Sequence, residues 1–220
     1  MTEHIRHSTL MRPIIFSENE IPILQGLILT GGKSQRMGID KATIPYHGVP
    51  QSVFLVELLR GLHIEPFLSC RTEQADQIEA LKDVKIVTDT FLDLGPMGGI
   101  LSAFRSNPNV AWLVIACDLP LLDVETLEIL INNRRTDKIA TAFHHASQPN
   151  SLPEPLIAIW EPAAYPVLLS FLSKGVSCPR KVLIHSDIHL LKPSNEASLT
   201  NVNTPTEYKE VLNMINNISK

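Results

Sequence analysis

The sequence is poor in cysteine, in aromatic residues and in surplus charge. Three cysteines occur in 220 residues, Cys70, Cys117 and Cys178, and none forms a CxxC pair. That spacing argues against a disulfide framework or a zinc site. Each thiol is read as a reduced, small core residue of a cytosolic protein. The formal net charge is -4. Without a basic excess the chain is not read as a nucleic-acid binder, so any attraction for an anion has to be local. No apolar run approaches the ~20 residues of a membrane span, and no membrane partner is expected. Residues 1–22 carry His4, Arg6, His7, Arg12, Glu18 and Glu20 and lack the apolar centre of a signal peptide. They are read as an N-terminal extension. Residues 23–220 are read as one cytoplasmic domain, for which 44% hydrophobic content is ample. Two phosphate-binding signatures are missing as well: GxGxxG is absent, and GxxxxGK[ST] would need glycine where Leu27 stands.

What is present is an alternation of strand and helix patterns. Short apolar runs at 23–30, 66–70, 84–89, 111–118, 138–143 and 156–160 predict strands. Helical spacing predicts helices over 50–62, 72–82, 123–134, 162–173, 178–186 and 204–217, and a turn leading into a helix over 93–105; the helix over 123–134 is capped by Asp123 and the last by Thr204 with Pro205 at its first position. Pro166 is expected to kink or restart the helix over 162–173. The stretch 144–155 reads as a polar, proline-marked loop with His144 and His145 exposed. Near-continuous apolar strands alternating with helices imply an α/β three-layer sandwich around a mostly parallel sheet.

Ligands of such sheets bind outside the carboxyl ends of the strands. The charged and glycine-rich stretches of this chain fall at those ends: 31–41, 69–71, Asp89 and Asp118. The first is the most distinctive. The run "LILTGGKSQRMGIDKA" passes from a buried strand into a loop holding Gly31, Gly32, Lys33, Ser34, Arg36, Gly38, Asp40 and Lys41. Glycines let a backbone approach a ligand closely, and consecutive N–H groups make an anion-binding concavity. A glycine-rich turn alone would not explain Arg36 and Lys41 together with Asp89 and Asp118 at other strand ends.

"LTGGKSQRMGIDKA" (29–42) resembles the signature loop LxGGxSxRMGxDKA of the nucleotidyltransferases that handle the molybdenum cofactor. "DTFLDLGPMGGILSA" (89–103) resembles their second nucleotide-contacting segment, "ACDLP" (116–120) their metal-binding strand end, and "NVNTPTEY" (201–208) their C-terminal pterin-side loop. The resemblance covers roughly residues 25–210, and four ordered motifs are far more specific than one. It is strongest to the molybdenum cofactor guanylyltransferases. It implies a Rossmann-like nucleotidyltransferase fold that joins the GMP part of GTP to the terminal phosphate of the molybdenum-bearing pterin and releases pyrophosphate.

The resemblance also implies roles. GTP contacts fall on Leu29, Thr30, Gly31, Gly32, Lys41, Asp89 and Asp118. Lys41 and Arg36 would neutralise the triphosphate, and Asp118 would hold Mg²⁺, which takes one or two carboxylates with phosphates and water; Asp118 could instead cap the turn before Leu119 and Pro120. Asp89 would accept from guanine or ribose. Relatives often have an asparagine near Ser69, where this chain reads "LSCR" through Arg71. Asn201 and Asn203 offer amide donors and acceptors to a pterin edge, or stabilise their loop as Asx turns. Arg180 and Lys181 would meet the pterin phosphate or form a solvated helix face. Transient contact with cofactor-biosynthesis proteins or acceptor molybdoenzymes is the macromolecular contact this reading implies. Two alternatives stand beside it. One is a cytidylyltransferase for the same cofactor, or another small-molecule phosphate nucleotidyltransferase. The other is a nucleotide-binding regulator without turnover.

Overall fold

Alternating residues of a strand face opposite sides of its sheet, and here both sides are covered. The computed structural model describes residues 21–30, 41–70, 81–144 and 152–218. Its strands are β1 (Leu24–Leu29), β2 (Pro66–Cys70), β3 (Lys85–Thr88), β4 (Ala111–Ala116), β5 (Ala140–His144), β6 (Pro153–Trp160) and β7 (His189–Leu191). They form a seven-stranded sheet in the order β3-β2-β1-β4-β6-β5-β7. β1 is parallel to β2 and β4, β2 to β3, and β5 to β7. β6 runs antiparallel between β4 and β5. The helices are α1 (Gln51–Gly61), α2 (Pro96–Ser106), α3 (Val124–Asn132), α4 (Ala164–Ser173), α5 (Pro179–Ile184) and α6 (Pro205–Ile218).

On one face Ile28, Leu68, Leu113, Ile115 and Ile157 pack with Leu55 and Leu59 of α1 and Leu127 and Leu130 of α3. The residues of opposite parity, Leu27, Leu29, Trp112 and Val114, pack on the other face with Leu101 and Phe104 of α2, Leu168 of α4 and Leu183 of α5. Each fully buried side chain of this kind contributes about 1.5–3 kcal/mol against the entropy of ordering the chain. A third, smaller core of Ile44, Tyr46, Val202 and Val211 fastens α6 to the segment before α1. Among the described residues no helix is long and apolar enough to cross a membrane.

Several expectations need correction. The stretch to 155 is not all loop. β6 begins at Pro153, and its two prolines are tolerated because its registered pairing with β4 covers only 157–160 and a bulge interrupts its pairing with β5 between Ala142 and His144. His144 ends β5 and is half-buried; His145 lies outside the described residues. Pro166 is the third residue of α4, where its missing N–H has no intrahelical partner to lose, so the helix runs on. Cys70 and Cys117 are buried, but Cys178 is exposed, because it stands at the surface just before α5. The helix expected over 72–82 lies almost wholly outside the described residues. β7 and a short 3-10 turn, Glu196–Leu199, were not foreseen.

Candidate active site

The parallel half of the sheet brings distant residues to one edge. Leu29 pairs laterally with both Ser69 and Ala116, and Cys70 pairs with Thr88. The residues at the carboxyl ends of β3, β2, β1 and β4 therefore line up as Asp89, Ser69, Thr30 and Asp118.

One end of this edge is stitched by side chains. Thr30 Oγ1 donates to the Ser69 carbonyl at 2.7 Å, and the Thr30 N–H reaches the same oxygen at 3.1 Å. Ser69 Oγ donates to Asp89 Oδ1 at 2.8 Å, and the Asp89 N–H donates to the Cys70 carbonyl at 3.1 Å. Burial, and secondarily the Asp89 carboxylate, pushes the Cys70 thiol up to about 11, so it stays neutral beneath the edge.

The loop after Asp89 is held by the first turns of α2. Ser102 Oγ accepts from the Thr90 N–H at 2.8 Å and donates to the Gly98 carbonyl at 2.7 Å. Gly95 has φ +56°, a left-handed conformation that favours glycine, and Pro96 opens the helix.

At the other end, Lys41 begins a 3-10 turn, Lys41–Thr43. Its Nζ donates to Asp118 Oδ2 at 3.2 Å and to Asn203 Oδ1 at 2.5 Å. Four hydrogen bonds support this cluster. Ser52 Oγ donates to the Ala42 carbonyl at 2.9 Å, fixing the Lys41 turn to α1. Gln51 Nε2 donates to the Leu119 carbonyl at 3.2 Å, and His47 Nε2 lies 2.8 Å from the Pro120 carbonyl; a carbonyl only accepts, so that ring nitrogen carries the proton. The Val202 N–H donates to the Asp118 carbonyl at 2.9 Å, tying the C-terminal loop to the end of β4. Burial first, then Tyr208 and Asp118, push the Tyr46 phenol up to about 12, leaving it a neutral neighbour of the carboxylate. Asp118 Oδ1 is buried and has no hydrogen-bond partner among the described residues.

The structure therefore brings Leu29, Thr30, Asp89, Lys41, Asp118 and Asn203 to one edge. Gly31, Gly32, Arg36 and Arg71 lie outside the described residues. Asn201 is half-buried in the loop before α6. Arg180 is engaged elsewhere: its Nη2 pairs with buried Glu154 at 2.8 Å and its Nε donates to the Pro153 carbonyl. Glu207 was missed. Its Oε2 accepts from the backbone N–H of Asn203 at 2.7 Å and of Thr204 at 2.9 Å. These bonds hold its carboxyl below the ordinary glutamate range. The signal was legible in T-P-T-E at 204–207, a capping box.

Comparison with known proteins gives a consistent result. The family described as "MobA-like NTP transferase domain" matches residues 26–188. A Synechocystis protein named molybdenum cofactor biosynthesis bifunctional protein is 39% identical over 188 residues, 86% of this chain and 53% of that protein. The chain thus spans about half the length of that relative. A Carboxydothermus hydrogenoformans protein named probable molybdenum cofactor guanylyltransferase is 32% identical over 84% of this chain and 93% of its own length. The crystal structure of molybdopterin-guanine dinucleotide biosynthesis protein A from Archaeoglobus fulgidus superposes with a TM-score of 0.73 at 22% identity, covering 88% of this chain and 99% of that one, which is a likeness of fold. By the extent of the family match and by these relatives, the chain belongs to the MobA-like NTP transferase domain family.

Proposed function

We infer that the protein transfers GMP from GTP to the terminal phosphate of a molybdenum-bearing pterin. A phosphate oxygen of the acceptor forms the new bond to the α-phosphorus, the bond from that phosphorus to the bridging oxygen breaks, and pyrophosphate leaves with the electron pair. The nucleophile is already anionic, so no general base is required; positioning and cationic stabilisation are.

The observation that carries this reading is the Lys41 ammonium held between Asp118 and Asn203 at one end of an edge whose other end is Asp89. Adjacent strands lie about 4.8 Å apart, so the ends of β3 and β4 are separated by roughly 14 Å. That span suits a nucleoside at Asp89 and phosphates at Lys41. Leu29, Thr30, Gly31 and Gly32 would contribute backbone contacts along it, and Arg36 a second cation. Asn203, with Asn201, would meet the pterin from the loop before α6. Arg180 would join them only by leaving its contacts with Glu154 and Pro153.

The orphaned Asp118 Oδ1, beside an oxygen already paired with Lys41, fits Mg²⁺. Bound there with GTP, the cation would neutralise charge on the phosphates. The chain's own part is to hold the carboxylate rigidly at the end of β4 and to present the Lys41 ammonium beside it. Transient hand-over to cofactor-biosynthesis proteins or an acceptor molybdoenzyme belongs to the same reading.

The test is pyrophosphate release with GTP, CTP or ATP as donor, each with the molybdenum-loaded pterin and with Mg²⁺ present or chelated. GTP should be the preferred donor and chelation should stop turnover. Preference for CTP would replace this reading with the cytidylyl one. Nucleotide binding without pyrophosphate release would favour the regulator.

A further inference from the structure

We propose that Ser69 is a positioning residue for nucleoside recognition, acting by orienting Asp89. The proposal rests on the reading above that Asp89 accepts from the nucleoside.

Ser69 is 2% exposed, yet its hydroxyl does not bond within its own strand. It donates to Asp89 Oδ1 across the ends of β2 and β3. Its backbone is fixed independently, because both the N–H and the hydroxyl of Thr30 converge on its carbonyl oxygen. The hydroxyl is also wedged against α2: a Cβ on Gly99 would lie 2.6 Å from Ser69 Oγ and 2.8 Å from Leu29 Cδ2. The helix therefore approaches the sheet this closely only because residue 99 lacks a side chain, and the serine has little room to turn elsewhere.

The consequence falls on Asp89. Its N–H is tied to the Cys70 carbonyl and its Oδ1 to Ser69, so the carboxylate plane is set from both ends of the residue. With Oδ1 engaged by Ser69, Oδ2 is assigned as the acceptor toward the ligand. A carboxylate oriented beforehand does not lose side-chain entropy when a nucleoside binds. In this chain the "LSCR" segment thus contributes to the base end through a short hydroxyl that organises an acid, without itself reaching the ligand.

The experiment is calorimetry of GTP and of inorganic tripolyphosphate with the full chain, its Ser69→Ala and Asp89→Ala variants, and the double variant, all in Mg²⁺. The positioning role predicts that Ser69→Ala weakens GTP roughly tenfold, the size of one net hydrogen bond to a charged group. It predicts that Asp89→Ala weakens GTP at least as much, that the double variant is no worse than Asp89→Ala, and that tripolyphosphate affinity is unchanged throughout. Losses that multiply in the double variant would make Ser69 act independently of Asp89 and overturn the proposal. So would unchanged GTP affinity in Ser69→Ala beside a loss in Asp89→Ala, which leaves the nucleotide reading intact. A parallel fall in tripolyphosphate affinity would reduce Ser69 to a packing residue. Unchanged GTP affinity in Asp89→Ala would instead sink the nucleoside reading beneath the proposal, and the proposal with it.

Discussion

The Lys41 ammonium bridges Asp118, 77 positions away, and Asn203, 162 positions away. The ion pair is partly solvated, with side chains 21% and 20% exposed. Such a pair stabilises a fold by about 1 kcal/mol or less, so its significance lies in what it places together. One cation stands between a carboxylate with a spare buried oxygen and an amide on the C-terminal loop.

Asp118→Asn should abolish turnover nearly completely while leaving GTP binding measurable without Mg²⁺. The amide keeps the shape and can still meet Lys41, but it loses the charge that would hold a divalent cation. Single-turnover kinetics beside calorimetry in EDTA separates the two effects. Wild-type rates would remove Asp118 from the mechanism.

Lys41→Ala should cost little stability and much affinity. A triphosphate that loses a direct charge partner binds about tenfold to a hundredfold more weakly, whereas the partly solvated pair contributes little to folding. Urea denaturation and GTP titration on the same sample check both halves. An unchanged GTP affinity would assign Lys41 to holding the Asn203 loop alone.

The placement of the candidate site residues at the carboxyl edge was legible because the strands are buried on both faces. Runs such as 111–116 are apolar throughout, so the first charged residue after them, Asp118, marks where the sheet ends. The direction of β6 was not legible, since an apolar run reads the same in either sense and its prolines suggested a loop. β7 has only three residues, none fully buried, and carries too little pattern to be seen. Pairings such as Arg180 with Glu154 or Ser69 with Asp89 depend on which strands become neighbours. Spacing along the chain does not encode that.

The cysteines should differ sharply in reactivity. Cys178 is exposed, while Cys70 and Cys117 are buried and the Cys70 thiol is pushed up to about 11 by burial and by Asp89. At mildly alkaline pH a thiol-disulfide reagent should titrate one thiol rapidly in the native protein and all three in denaturant. Cys178→Ser should abolish the fast phase. Persistence of that phase would mean that the edge beneath Asp89 opens readily.

Glu207 couples loop geometry to pH. The N–H groups of Asn203 and Thr204 favour its ionised form, so its folded pKa lies below the unfolded one. Its contribution to stability is then complete above the ordinary glutamate range and is lost as pH falls through the lowered value. Glu207→Ala should therefore lower the melting temperature at neutral pH and lose that difference in acid. It should also raise the KM for the pterin acceptor severalfold with little change for GTP, because Asn203 loses its backbone anchor. Equal stability deficits at neutral and acid pH would argue against this linkage.

Two glycines in helices should respond in opposite ways to alanine. A Cβ on Gly98 would lie 2.3 Å from the Phe91 carbonyl oxygen, a backbone atom with little freedom to withdraw, since Ser102 holds both Thr90 and Phe91 by their N–H groups. Relief requires α2 to lift or the 89–95 loop to shift, and either disturbs the seat of Asp89. Overpacking of this kind costs about 1–3 kcal/mol, and GTP affinity should fall with it. At Gly61, the last residue of α1, a Cβ meets nothing within 4 Å. There alanine restricts only the unfolded chain and should stabilise by about 0.4–1 kcal/mol with GTP affinity unchanged. Urea midpoints and nucleotide titrations of the two variants check the contrast. If Gly98→Ala is as benign as Gly61→Ala, the loop after Asp89 is not braced by the helix, and its geometry cannot be what fixes the nucleoside end of the site.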